Sequence, residues 1–353
     1  MALMVLVLFS CGGDGKSGKQ GGKSLFTPVS SGHPYEMLVV IDKGLWERPA
    51  GRALFNALDM DVPGLPQPER SFRISNIGPD KFNRGFRIFR NIIDVDIQPI
   101  YTQPKLKYSR DSYASPQMIM TIQAPDEQSF EEFVDKNKQV IVDFFTKAEM
   151  NRQISLLKKK HSDLISTKIG SMFGCDVWVP VELERYKQGT DFLWASSDNN
   201  ASDVSMNFVI YSYPYTDKDT FTKDYFVHKR DSVMKINIPG SREGQYIQTD
   251  ADYVNVKNFS VKGEYAFEAR GLWYMENDMM GGPFVSHARV DRPNGRVVVV
   301  EAFIYAPEKK KRDLMRKMEA SLYTLNLPQE QELEEIVVGV ELEEDKQSAP
   351  AQD

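Results

Sequence analysis

"FVSHARVDRPNGRVVVVEAFIYAP" (Phe284 to Pro307) contains two apolar runs joined by Pro293-Asn294-Gly295. Asn-Gly tolerates the left-handed backbone that a tight turn needs, so the stretch reads as an antiparallel hairpin. The next stretch, "EKKKRDLMRKMEASLYTL", places Leu314, Met318, Leu322 and Leu325 on one side of a helix. A hairpin followed by a helix with one apolar side predicts an antiparallel sheet covered by helices, the α+β arrangement.

The same connection recurs upstream. "TIQAPDEQSF", "VIYSYPYTDKDTF" and "AFIYAPEKKKRDL" each run from an apolar strand through a proline to an acidic or capping residue that opens a helix. Before the hairpin, strand-like segments extend from about Gln245 to Met275. They follow a helix in "TDKDTFTKDYFVHKRDSVMK", where Thr216 and Asp219 are spaced as a capping box. Further back, Phe130, Phe133, Val134, Ile141, Phe144, Phe145 and Ala148 form a wide apolar stripe that continues to Ile165. A helix of that length is unusual, so the pattern predicts a kink or a break. "YEMLVVID", "SFRISNIG", "NIIDVDIQP" and "QMIMTIQAP" read as strands, and the three prolines of "DVPGLPQPE" as a surface loop. The expectation is an α+β protein of mainly antiparallel sheets covered by helices. Its halves span residues 34–170 (an α/β half) and 171–327 (an α+β half) and meet near 165–180.

The chain start predicts a location. Met1 to Phe9 is too short to span a bilayer, which takes about 20 apolar residues, but matches the apolar part of a secretory signal. Leu8-Phe9-Ser10-Cys11 resembles a bacterial lipobox. That likeness implies residues 1–10 as a signal peptide and Cys11 as an acylated N-terminus, with palmitate among the acyl chains. Gly12 to Ser24 holds six glycines, and residues 11–33 read as a flexible tether. The anchor predicts a protein of the cell envelope, on the periplasmic face of the outer membrane. Residues 328–353 are acidic and read as a disordered tail.

Composition and spacing exclude several classes. The chain has 353 residues, 41% hydrophobic and 27% charged, and a net charge of −6 that disfavours nucleic acid. "GDGKSGKQGGKS" lacks the glycine spacing and the preceding strand of a phosphate-binding loop. None of His33, His161, His228 and His287 has zinc-ligand spacing to another ligand, and no serine sits in G-x-S-x-G. No metal, cofactor or catalytic residue is therefore assigned. Cys175, without Cys11 as a partner, reads as a buried inert thiol.

"PAGRAL", "DVPGLPQPE", "QAPDEQSFEEF", "HKRDSVMKINIPG", "GEYAFEARGLW" and "GGPFVSH" together resemble a Bacteroidetes lipoprotein family, the domain of unknown function numbered 4837, over roughly Tyr35 to Leu327. The resemblance implies an envelope lipoprotein and carries no activity. The element order of the second half is similar to the PsbP-like layout, an analogy of fold that supplies no function.

"EARGLWYMENDMMGGPFVSH" (Glu268 to His287) combines Arg270, Trp273, Tyr274 and His287 with methionines and the pair Gly281-Gly282. Arg and Trp dominate binding hot spots and Met suits adaptable surfaces, which makes these four the candidate binding residues. The expected function is a membrane-anchored, non-enzymatic module that binds an envelope protein, a glycan or a small ligand. The alternatives are a hydrolase acting on an envelope polymer and a scaffold of an outer-membrane assembly. Converging carboxylates would favour the hydrolase and an aromatic groove would favour binding.

Overall fold

The computed structural model describes residues 27–197 and 203–330, together with the backbone of Glu343–Glu344. The stretch read as a signal peptide, Cys11 and most of the stretch read as a tether lie outside the described residues, as does nearly all of the stretch read as a tail.

The first half opens with β1 (Glu36–Val40), two helices, α1 (Lys43–Trp46) and α2 (Pro49–Leu58), and β2 (Arg73–Ile77). After the short α3 (Arg84–Arg87) come β3 (Asn91–Ile97), β4 (Lys105–Arg110), β5 (Met118–Ala124) and the 33-residue α4 (Glu127–Lys159). In the sheet the order is β4-β5-β3-β1-β2. β1 runs parallel to β2 and β3, β3 runs parallel to β5, and β4 is antiparallel to β5. Alternation along β3 sends Ile93, Val95 and Ile97 toward α2 and α4, and Ile92, Asp94 and Asp96 to the opposite face. Phe82, Phe86, Phe89 and Tyr113 pack against that second face.

The second half begins with α5 (Asp163–Phe173), β6 (Arg185–Gly189), β7 (Phe192–Ser196), β8 (Ser205–Pro214) and α6 (Lys223–Asn237). It continues through β9 (Ile247–Val261), β10 (Glu264–Met275), β11 (Gly281–Asp291), β12 (Arg296–Tyr305) and α7 (Arg312–Leu322). Its seven strands, in the order β6-β7-β8-β12-β11-β10-β9, are all antiparallel. One face packs on α6, the other on α5 and α7. Burial on both faces explains the apolar run in β12, interrupted only at Glu301 within the strand: Val298, Val300, Ala302 and Ile304 face α7, while Val297, Val299 and Phe303 face α6.

The opening hairpin forms as the sequence predicts, with Gly295 at φ +61° and its N–H donating to the Arg292 carbonyl at 3.2 Å. The α+β class holds for the molecule, and antiparallel ladders outnumber parallel ones among the described residues. The parallel ladders are confined to the first half. There β1 and β3 alternate with helical connections, and such crossovers return the chain in the same direction.

Several boundaries differ from expectation. The long stripe does break, at residues 160–162, but α5 packs into the second core through Ile165, Ile169 and Phe173. The halves therefore divide before α5 rather than at residue 170. α4 touches both halves: its last turns place Met150, Ile154 and Leu157 against Ala320 of α7. The tether ends earlier than residue 33, because the Ser31 amide donates to Ile88 and the Ser115 amide to Pro28. The Thr216–Asp219 capping box is absent. Asp217 instead caps a short 3-10 turn, and Thr222 caps α6 by accepting from the Tyr225 amide at 3.4 Å. Gly281 and Gly282 are not a flexible pair but the first residues of β11; a Cβ on Gly282 would lie 2.0 Å from the Ile304 carbonyl oxygen. The first residues of the acidic segment are ordered too, since the Glu330 side chain is 3% exposed. The backbone of β13 (Glu343–Glu344) runs parallel to β4.

Candidate functional site

Two hairpin ends and one connection meet at one end of the seven-stranded sheet. The β9–β10 turn is the two-residue loop Lys262-Gly263, with φ of +52° and +78°, the conformation that tight hairpins favour. Beside it lie the β11–β12 turn and the stretch from β8 to α6, which brings in Tyr215, Lys218 and Phe221. Together they enclose a cleft of about 700 Å³.

One wall is aromatic. Phe221 meets Tyr265 edge to face at 5.0 Å and Tyr215 at 6.0 Å, and its inner side rests on Phe267 at 6.0 Å. Tyr265 is 44% exposed and Tyr215 37% exposed, so both rings are open to solvent. The Tyr265 hydroxyl donates to Asn258 Oδ1 at 2.8 Å. Partial burial, and then the nearby Tyr215, raises its pKa above the usual phenol value.

The other wall is charged. Arg292 Nη2 donates to Glu264 Oε2 at 2.5 Å on the rim. Deeper in, the Arg289 guanidinium pairs with the Glu330 carboxylate. Arg289 Nη1 also donates to the Leu325 carbonyl at 3.1 Å, and its Nε has no hydrogen-bond partner. Burial pushes the Arg289 pKa down to about 10, eased by Glu264. Each carboxylate lining the cleft is thus paired with an arginine, and the aromatic wall faces them. This arrangement can stack a ring and hold a charge.

A second cluster lies on the second face of the first sheet. Asp94 has a carboxyl raised to about 6, by burial and then by the neighbouring Asp96. Asp96 accepts from the Tyr101 hydroxyl and from Gln123 Nε2 at 2.9 Å. That hydrogen bond is the main reason the Tyr101 phenol rises to about 12.

The four sequence-predicted binding residues do not converge. Along β10, Arg270 and Tyr274 share one face and Trp273 the other. Trp273 is buried beneath α6, edge-on to Phe303 at 5.4 Å, with its Nε1 donating to the Ile304 carbonyl at 3.2 Å. Arg270 is buried under α7, donating at 2.7 Å to both Glu268 and Glu319. His287, cross-strand from Glu268, is enclosed between Phe259 and Tyr323 with Nε2 3.4 Å from Glu268 Oε2. Burial works against charge on Glu268, but the adjoining His287 ring and Arg270 outweigh it and hold the carboxyl well below the usual range. Tyr274 is part-exposed and donates to Gln248 at 2.6 Å. The Cys175 thiol is buried, as expected, and burial pushes its pKa up to about 12.

Among the described residues, no helix is long and apolar enough to cross a membrane, and no cluster of three or more His, Cys, Asp or Glu could hold a metal ion.

Fold and site define a two-sheet α+β protein with an open aromatic and arginine-lined cleft. Residues 162–324 match the model of a domain of unknown function, DUF4837, and residues 30–158 match a different one, DUF8532. The likeness to the family numbered 4837, read over Tyr35 to Leu327, therefore holds for the second half alone, and the two matches divide close to the α4–α5 break. No curated protein matches the chain. Among solved structures, the human StarD13 (DLC2) lipid transfer and protein localization domain aligns at 8% identity and a TM-score of 0.20, covering 45% of this chain and 95% of that one. A TM-score that low carries no argument about fold or ligand.

Proposed function

We propose that this protein is a lipid-anchored module of the bacterial cell envelope that binds a ligand through the cleft at the end of its second sheet and does no chemistry on it. The observation that carries the binding role is the pairing of an exposed aromatic wall with carboxylates already bound to arginines. Ligand sites are concave and combine apolar surface with fixed polar groups, and this cleft sets an aromatic wall against paired charges. The anchor rests on the lipobox and on Cys11. Acylation at Cys11, with a second chain to make attachment stable, would place the module on the periplasmic face of the outer membrane. The PsbP-like likeness is an analogy of layout and adds no ligand.

Two measurements test the proposal. Cys11→Ala should move the protein from the membrane to the soluble fraction; retention in the membrane fraction overturns the anchor. Cross-linking in cells should capture a ligand or partner that the Tyr215→Ala, Tyr265→Ala double variant loses. Equal capture by both proteins overturns the cleft.

One observation favours the hydrolase alternative. Asp94 near pKa 6 beside Asp96 has the character of a general acid next to a carboxylate. Turnover of an envelope polymer by the purified protein, lost in Asp94→Asn, would establish that reading in place of the first.

A further inference from the structure

The position of Glu330 suggests what the cleft is built to hold. This side chain, three residues beyond Leu327, does not project into solvent but turns back, with its carboxylate 3% exposed. Three groups receive it: the Arg289 guanidinium, the Lys262 ammonium at 3.8 Å and the Leu327 amide, which donates to Oε2 at 3.0 Å. The neighbouring Gln329 fastens the same short segment by donating from Nε2 to the Val290 carbonyl at 2.8 Å. Two cations and an amide converging on one carboxylate form a carboxylate site. Its present occupant comes from a short segment beyond the last helix.

We propose that this is the anionic subsite of the cleft, that Glu330 occupies it as an internal stand-in, and that the ligand is a carboxylated saccharide, a glycan containing uronic acid. The inference rests on the cleft reading above and deepens it. Arg289 supplies a planar fork that suits a carboxylate better than a point charge would. Its side chain is 2% exposed, and its Nε is left without a partner while Glu330 is in place, so an incoming carboxylate gains a donor that Glu330 does not use. Tyr215 and Tyr265 present open ring faces on the opposite wall, which suits the flat apolar face of a sugar ring. Asn258 and the Arg292–Glu264 pair on the rim supply partners for hydroxyl groups. A polyphosphate fits less well, because the stand-in is one singly charged group. Binding is an exchange of one carboxylate for another on Arg289, with no bond made or broken.

The test is calorimetric titration of the purified protein with trigalacturonic acid and with its carboxyl-reduced, neutral counterpart. The acid should bind at least tenfold more tightly than the neutral sugar. Glu330→Gln removes the competing charge and should raise affinity for the acid about tenfold, a gain that misfolding cannot produce. Arg289→Lys keeps the charge, loses the fork and should cost at least tenfold for the acid alone. Tyr265→Ala should weaken both sugars. Equal affinity for acid and neutral sugar, both lost in Tyr265→Ala, overturns the carboxylate subsite and leaves the cleft. Acid binding that neither Glu330→Gln nor Tyr265→Ala alters overturns both. Binding of neither sugar to wild type and Glu330→Gln overturns the saccharide assignment, while ligand capture by cross-linking tests the cleft separately.

Discussion

Arg230 and Glu301 face each other at zero exposure between α6 and β12. Arg230 donates from Nε and Nη2 to the carboxylate at 2.7–3.1 Å and from Nη1 to Thr249 at 2.8 Å, while the Ser286 hydroxyl donates to Glu301 Oε2 at 2.5 Å. Breaking such a pair leaves a buried charge, whereas replacing both members with apolar residues restores a neutral core. Arg230→Met should therefore cost about 3–5 kcal/mol, and Arg230→Met with Glu301→Met much less. Urea denaturation measures both, and equal losses would show that the pair is not coupled. Asp94 gives a pH signature of opposite sense to an ordinary acid. Its folded pKa, about 6, lies above the ordinary value of 3.8, so the folded state holds more protons between those values. The contribution of this group is greatest below about pH 4 and is lost as pH rises through 6, a change of up to about 3 kcal/mol. Asp94→Asn should flatten that slope; an unchanged slope would assign it to another group. Neither site was legible as a motif. The sequence shows Arg230 only as one charge on a polar helix and Asp94 only as one alternate of "NIIDVDIQP", because burial is decided by what packs over each face.

At the scale of elements, helix α7 begins without a cap from its own chain neighbourhood. Glu69, from the proline-rich loop of the first half, accepts from the Lys311 amide at 2.6 Å and the Arg312 amide at 3.2 Å. A carboxylate there satisfies open donors and meets the positive end of the helix dipole. Arg312 Nη1 returns a bond to the Arg70 carbonyl at 2.7 Å, so the loop and helix hold each other. Glu69→Ala should cost about 1–2 kcal/mol in thermal or urea unfolding, and Glu69→Gln less. No loss in Glu69→Ala would mean that solvent caps α7 equally well. What the sequence revealed here follows from locality. The Asn-Gly hairpin, the break after α4 and the Asp126 cap that opens α4 depend on near neighbours in the chain, and all three were readable; the other two strand-to-helix connections were misplaced, since Thr222 opens α6 and α7 begins only at Arg312. Strand β4 ("KLKYSR") was missed because its lysines mask the alternation of a strand near the sheet edge. The cap on α7 was missed because its donor and acceptor lie in different halves, and the cleft because its walls come from three separate turns and the segment after α7.

The whole molecule is joined by more than α4. Gly64 lies against the Arg270 stem, which in turn is bound to Glu319 of α7, and Arg73 pairs with Asp313 at 3.1 Å. Tyr35 of the first half is buried near Arg316, and burial is the chief reason its phenol rises far above the usual value. With Met150, Ile154 and Leu157 of α4 seated on Ala320, the halves share apolar surface as well as charge. Domains that share so much should lose structure together. The described fold is therefore expected to unfold in one calorimetric transition, even though two family models divide the sequence. Ala320→Asp places a charge in the apolar contact between α4 and α7 and should separate that transition into two, because neither half's own core includes the site. Two transitions in the wild-type protein would show that each half is stable alone and that α4 is a tether between them, whereas a single unshifted one in the variant would show that the α4–α7 contact does not couple the halves.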